Sequence, residues 1–166
     1  MSLWQTCWMG RKYDMTITYA VEPLADCRTE IEGLLYEHWL EVARDHDVIP
    51  LDPDWSEYER LDASGELHLV ICRLDGHVIG YYVTIIRPHL HYKSTLHGFV
   101  DVYFLKKEYR HGKIGMQLFV EAEKALKQRG VVKLFSGTKT HLDVSPLFER
   151  LGWKTTETLF TKVLKD

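Results

Sequence analysis

Apolar and polar positions alternate with a period of two over residues 17–21, so the first legible element of the chain is a strand. The spacing then changes. Cys27, Ile31, Leu34, Leu35, Trp39 and Val42 recur at three- and four-residue steps. That spacing predicts an amphipathic helix to about Ala43, opened by Pro23, which suits a first helical turn. A proline-bearing connector over 48–53 leads to a short helix over 55–61 and a turn at Ala63-Ser64-Gly65. Residues 67–73 and 77–87 read as two strands joined at Asp75-Gly76, a dipeptide favoured in tight hairpins. Residues 88–93 form a connection rich in histidine and tyrosine, and 98–105 the next strand. A helix over 113–128 sets Leu118, Phe119, Ala122, Ala125 and Leu126 on one face and ends at Gly130. A strand over 131–135, a short helix over 146–151 stopped by Gly152, and an extended segment over 153–164 complete the pattern. Strand, two helices, three antiparallel strands, helix, strand, helix, strand is the order of a mixed α/β (α+β) layer fold.

At 166 residues the chain predicts one domain, able to bury roughly two-thirds of its unfolded surface. Its composition is that of an ordinary globular protein. The net charge of −3 argues against nucleic acid as a partner, because a phosphate backbone selects a basic face. No apolar run reaches membrane-spanning length, so no membrane partner is expected. Cys7, Cys27 and Cys72 lack paired spacing and fit packed thiols in a reducing, cytoplasmic setting. Cys72 lies in an apolar strand and reads as core rather than as a nucleophile. Residues 1–14 read as a loosely attached leader or as non-native sequence, with the domain proper over 15–166. The rival reading is an N-terminal element that packs Trp4 and Trp8.

The most informative stretch is 100–115. An apolar strand runs into a basic turn and then into a helix start bearing Gly112 and Gly115. A helix N-terminus offers unpaired N–H groups and partial positive charge to an anion, and glycine lets a ligand approach the backbone. Lys106, Lys107, Arg110, His111 and Lys113 surround the spot, so a pyrophosphate is the ligand it best suits. The rival is a plain turn with solvated lysines.

The segment Tyr109-Arg110-His111-Gly112-Lys113-Ile114-Gly115 resembles the Arg/Gln-x-x-Gly-x-Gly/Ala turn of the GNAT N-acetyltransferase superfamily. Leu147-Phe148-Glu149-Arg150-Leu151-Gly152-Trp153 resembles its Phe-Tyr-Glu-Lys-Leu-Gly-Phe helix ending. The region Pro88-His89-Leu90-His91-Tyr92 and the turn also look similar to bacteriophage acetyltransferase-like proteins. The resemblance spans about 16–164. It implies a single GNAT-like domain with a mixed, mostly antiparallel central sheet and helices on both faces. It also implies acetyl transfer from acetyl-CoA to a primary amine, the acceptor being a small molecule or a protein. Two departures stand out. Lys113 replaces the middle glycine, and Phe148 replaces a tyrosine that often serves as general acid; phenylalanine has no proton to give. A catalytically inactive CoA-binding module, or a structural or host-interaction module, is therefore the alternative.

On this resemblance Arg110, His111, Gly112, Lys113, Ile114 and Gly115 hold the pyrophosphate, the backbone of Tyr103, Phe104 and Leu105 pairs with the pantetheine arm, and His141 lies near the cofactor. The rival for His141 is a loop histidine before the following helix. Asp101 is the leading catalytic base because it interrupts an apolar strand, where a carboxylate is costly unless paired or employed. Alternation puts it on the face of Phe99, Tyr103 and Leu105. The rival is an Asp bonded to a neighbouring strand's Tyr or Thr, or one on a solvated sheet face. His89, His91, Tyr92 and His97 cluster in one connection as acceptor-lining groups, with His97 a second candidate base. Their His-x-His spacing is too sparse a donor set to assign a metal. Trp39 is expected in the core, while Trp55 stands between core and acceptor wall. Asp52, Asp54, Glu57 and Glu59 make the connector acidic, suited to a cationic amine or simply solvated. The final strand over 155–164 could pair across a homodimer.

Overall fold

A computed structural model describes residues 15–164. The reading of 1–14 as a leader lies outside the described residues. The elements run β1 (Ile17–Val21), α1 (Leu24–Val42), α2 (Trp55–Ala63), β2 (Leu67–Leu74), β3 (His77–His89), β4 (Tyr92–Leu105), α3 (Ile114–Gln128), β5 (Val131–Phe135) and α4 (Ser145–Arg150). The sheet order follows the chain, β1-β2-β3-β4-β5. The first four strands pair antiparallel, and β4 and β5 pair in parallel through the α3 crossover.

The sheet is covered on both faces. Leu69, Ile71, Tyr81, Val83 and Phe104 pack against Leu24, Cys27 and Ile31 of α1 and Leu61 of α2. Val70, Cys72, Tyr82, Ile86 and Leu105 pack against Leu118, Phe119, Ala122 and Leu126 of α3. Residues 67–72 of β2 are therefore buried on both faces, which explains a run that is apolar at every position but His68.

Three features depart from the periodicity. Residues 88–93 are not a separate connection: β3 and β4 continue as a hairpin to the pair His89↔Tyr92, leaving Lys93, Ser94 and Thr95 as extra residues on β4. Trp39, expected in the core, is half-buried against Tyr36 and His46, and the inward position belongs to His38, 4% exposed. The predicted last strand does not form among the described residues, and 154–164 is exposed throughout.

Two local irregularities shape the middle of the sheet. Val83 pairs with Val102 while Thr84 pairs with Val100, so Asp101 is the extra residue of a β-bulge. The β4–β5 ladder runs only from Leu96↔Val131 to Phe99↔Phe135. Beyond Phe99 the two strands part, and β4 from Val100 to Leu105 has a free edge. At Gly98 a Cβ would lie 2.5 Å from Leu134 Cδ2, so glycine is what lets β5 close onto β4 before the split.

Candidate active site

The parted strands and the turn after β4 form one opening. A single 3₁₀ turn, Lys107–Tyr109, follows the strand. Gly112 then takes φ +65°, a left-handed conformation that side chains resist, and α3 begins. No side chain caps this helix and its first turn has no acidic residue. Its first N–H groups, at Ile114, Gly115 and Met116, meet no backbone or side-chain acceptor among the described residues. They form a cluster of free donors at the positive end of the helix, as the sequence led us to expect. Gly115 is half-buried, while His111 and Lys113 are exposed beside it.

Arg110 is placed otherwise. Its Nε donates to the Leu105 carbonyl at 2.6 Å, and its guanidinium pairs with both carboxylate oxygens of Glu41, the Nη2–Oε2 contact being 2.6 Å. It also lies over the Phe104 ring. Arg110 is therefore a brace between strand end, turn and α1, with its fork already filled. The hydrogen bonds from Arg110, and then its charge, hold the Glu41 carboxyl below the usual carboxylate range.

His141 is also tied to α1. Its Nδ1 accepts from Arg44 Nε at 3.1 Å, so Nε2 carries the proton and donates to the Glu41 carbonyl at 3.2 Å. Its ring is a clasp between α1 and the loop after β5, with both nitrogens occupied. Glu41 thus anchors two loops, one through its side chain and one through its carbonyl.

Along the free edge, Lys106 N donates to Ile79 O, which fixes the alternation of backbone groups. Leu105 and Tyr103 turn theirs away from β3 into the opening, and Phe104 turns its own toward β3. The expectation that Phe104 offers backbone to a cofactor is corrected on that ground. Its side chain is buried on the opposite face, stacked on His38 with centroids 4.8 Å apart. Tyr103 Oη donates to Gly137 O at 2.8 Å, across to the loop after β5. Phe148 packs edge-on against Tyr103, Phe119 and Trp153 and is part of the core.

Asp101 projects from the bulge on the α2 side. The bulge reverses the alternation, so Tyr103 and Leu105 lie on the opposite, α3 face, contrary to the simple period-two reading. Asp101 Oδ2 accepts from Tyr58 Oη at 2.5 Å. Burial and this bond push the Tyr58 phenol upward, so it stays a donor. The Trp55 ring lies tilted beside Tyr58, with centroids 5.7 Å apart, under the Arg28 guanidinium.

His97 stands four residues earlier on β4, roughly 13 Å away along the strand. It is 4% exposed. Thr95 Oγ1 donates to Tyr92 O, so His97 Nε2 is the donor in its 3.1 Å contact with Thr95 Oγ1. Its Nδ1 is a buried acceptor without a partner among the described residues. His89, Tyr92 and Phe135 surround the ring, and His91 N donates to His89 Nδ1. The histidine cluster is thus real but lies at the hairpin end. The structure does not bring it to Asp101.

The acidic connector is largely spent on local bonds. Asp54 caps α2 by accepting from Glu57 N, Glu57 accepts from Arg60, and Glu59 pairs with Arg28. Sequence reading missed Glu41 and His38 on α1 and Arg44 just after it, whose positions carry no motif. His38 Nδ1 meets Tyr81 Oη at 2.8 Å, and burial pulls its pKa down to about 4, so the ring is neutral. Among the described residues no group of three His, Cys, Asp or Glu is placed to hold a metal ion. No helix there is long and apolar enough to cross a membrane.

The fold is shared with solved acetyltransferases. Ribosomal-protein-alanine N-acetyltransferase from Brucella melitensis biovar Abortus 2308 is 19% identical with a TM-score of 0.70, covering 91% of this chain and 99% of its own. The aminoglycoside N-acetyltransferase AAC(6')-Iy, bound to a CoA-linked bisubstrate analogue, is 18% identical with a TM-score of 0.69 over 91% and 99%. Glucosamine-6-phosphate N-acetyltransferase from Arabidopsis thaliana is 13% identical with a TM-score of 0.69 over 90% and 99%. No match to a curated protein sequence was found. The sequence model of the Acetyltransferase (GNAT) family matches residues 30–153, which takes in both motifs and the opening between β4 and β5. The chain belongs to the GNAT acetyltransferase family.

Proposed function

We propose that the protein transfers an acetyl group from acetyl-CoA directly to a primary amine. One observation carries this reading: the free N–H groups of Ile114, Gly115 and Met116 line the same opening as the β4 edge at Tyr103 and Leu105, which pairs with no strand and where the Leu105 carbonyl alone is taken, by Arg110. The first set suits a pyrophosphate and the second an amide-bearing arm that adds to a strand edge. Acetyl-CoA supplies the activated thioester. Asp101 takes the proton from the incoming ammonium, directly or through water, while Tyr58 holds its other side. The free amine nitrogen then adds to the thioester carbonyl carbon, and collapse of the tetrahedral adduct breaks the C–S bond while the nitrogen gives up its second proton to solvent. An N–H on the β4 edge stabilises the oxyanion. Phe148 lacks a hydroxyl, so protonation of the departing thiolate falls to solvent at the open edge. Trp55 forms the acceptor wall nearest Asp101, with His89, His91, Tyr92 and His97 at its far end.

Acetyl-CoA binding by calorimetry, on wild type, Gly115→Ala and Gly115→Trp, tests the cofactor part. A Cβ at Gly115 would lie 3.5 Å from Leu105 Cδ2, ordinary contact, so alanine is expected to bind and tryptophan to fill the turn and abolish binding. No binding to wild type would sink the reading. Asp101→Asn in an amine-acetylation screen is expected to lower kcat by about 10²–10⁴-fold with acetyl-CoA binding unchanged. Phe148 in the core favours a second reading, a CoA-binding module without chemistry, which predicts wild-type binding and no turnover on any amine.

A further inference from the structure

The α2 face of the sheet carries an aromatic shelf beside Asp101. Phe99 and Phe135 are the last pair of the β4–β5 ladder, at the mouth of the opening. Their rings stack with centroids 5.1 Å apart and 5° between their planes. Both are half-buried, yet neither packs into either core. The Arg87 guanidinium lies over the Phe99 ring at 5.6 Å, and Lys133 Nζ over the Phe135 ring at 4.6 Å. Arg87 and Lys133 flank His97 in one cross-strand row through β3, β4 and β5. The shelf is thus an apolar floor with a cation on each side.

The charges around this floor are unevenly spent. Glu57 and Glu59 of the neighbouring α2 are taken up by Arg60 and Arg28. Asp101 binds the Tyr58 hydroxyl through Oδ2 and has no cationic partner among the described residues. Arg87 and Lys133 are exposed and have neither a carboxylate nor a hydrogen-bond partner there. His97 between them supplies no anion, and its buried Nδ1 is itself unpartnered. An arginine laid on a ring still presents its N–H fork to a carboxylate or phosphate. Asp101 stands two residues beyond Phe99, about 7 Å along β4. The shelf therefore holds an unspent carboxylate at one end, two unspent cations at the other, and apolar surface between.

We propose that the acceptor is a primary amine that carries an anion, a carboxylate or a phosphate, at the far end of an apolar spacer; this rests on the acetyl-transfer reading and narrows its substrate. Asp101 receives the ammonium end, the Phe99–Phe135 floor carries the spacer, and Arg87 with Lys133 hold the anion. An α-amine beside its own carboxylate sets the two charges too close together to reach both ends. A polyamine is selected against, because its second ammonium would stand between two cations.

Steady-state acetylation of amines of similar length tests it, with ε-aminocaproate, aminopentyl phosphate, hexylamine and hexamethylenediamine as the probes. The better of the two anionic amines is expected to exceed hexylamine in kcat/KM by about tenfold, as a charge-assisted contact supplies, with the diamine poorest. Which of the two is better names the anion. Arg87→Gln and Lys133→Gln should each raise the KM of that substrate several-fold and move that of hexylamine far less. Arg87→Glu combined with Lys133→Glu should turn the preference to the diamine. Both side chains are exposed, so the variants keep the fold, checked by unchanged circular dichroism and unchanged acetyl-CoA binding. Hexylamine or the diamine acetylated as well as both anionic amines overturns the proposal. So does a preference for anionic amines that survives the double reversal. Either result leaves acetyl transfer standing. No acetylation of any amine overturns the acetyl-transfer reading itself, and the proposal with it.

Discussion

Glu41→Gln separates two roles for Arg110. In the structure the Arg110 guanidinium is engaged by Glu41 and by the Leu105 carbonyl, which makes it a brace for the turn before α3. The Arg110 and Glu41 side chains are 30% and 25% exposed. Exposed ion pairs contribute about 0–1 kcal/mol, and a bidentate, half-desolvated one more, so the neutral amide is expected to cost about 1–2 kcal/mol of stability. For a chain of this size each kcal/mol lowers Tm by about 2–4 °C. The pH dependence has a definite sign. The Glu41 pKa is depressed in the folded state from its ordinary 4.5, so its contribution is complete above that value and fades as pH falls through the folded one. Thermal melts of wild type against Glu41→Gln should therefore differ near neutrality and converge in acid.

Acetyl-CoA affinity then decides the role. A brace, once loosened, lets the Gly112–Gly115 turn and the clasp at His141 wander, and affinity should fall about tenfold, or about 1.4 kcal/mol. An Arg110 that serves as a phosphate ligand would instead be released from its competitor by the same substitution, and affinity would rise. Tighter binding in calorimetry would refute the brace.

Two further outcomes follow from buried groups. His38 and His68 are both held neutral by burial, with folded pKa values of about 4 against an ordinary 6.5, so stability is complete above 6.5 and is lost as pH falls from there toward 4. Each contributes up to about 3 kcal/mol to that loss, and a melting-temperature series on His38→Phe should show a shallower acid slope than wild type. Gly98→Ala places a methyl 2.5 Å from Leu134 Cδ2 and 3.0 Å from Thr84 Cγ2, forcing β5 or Leu134 to shift. Urea unfolding should show a loss of about 1–3 kcal/mol, whereas Gly137→Ala, with open space at its Cβ, should leave the midpoint nearly unchanged.

The elements most legible in sequence were those whose signal is local. The Asp75-Gly76 hairpin, the α3 face and the glycine turn after β4 all stand where spacing and turn chemistry place them. What sequence could not show is set by contacts between distant segments. Arg110 is a cation beside a phosphate-type turn, and only the approach of Glu41, 69 residues earlier, makes it a brace. His38 falls one position from Trp39 on the same helix, and hydropathy alone assigns the core to the tryptophan. The histidine it ignored is buried because Tyr81 can satisfy it.

Asp101 shows the deepest version of this limit. Read as one strand, 98–105 alternates cleanly, and the acid belongs with Tyr103 and Leu105. The single extra residue at the bulge breaks that parity: Val102 and Phe104 face α1 and α2, while Val100, Tyr103 and Leu105 face α3. The stretch is therefore two half-strands of opposite phase, and the carboxylate sits at their junction. A carboxylate in the regular part of this strand would be packed under a helix and would be costly to keep charged. At the bulge it is exposed, reaches Tyr58, and stands where β4 parts from β5. The irregularity that defeats the periodic reading is thus what leaves a charged carboxylate beside the opening.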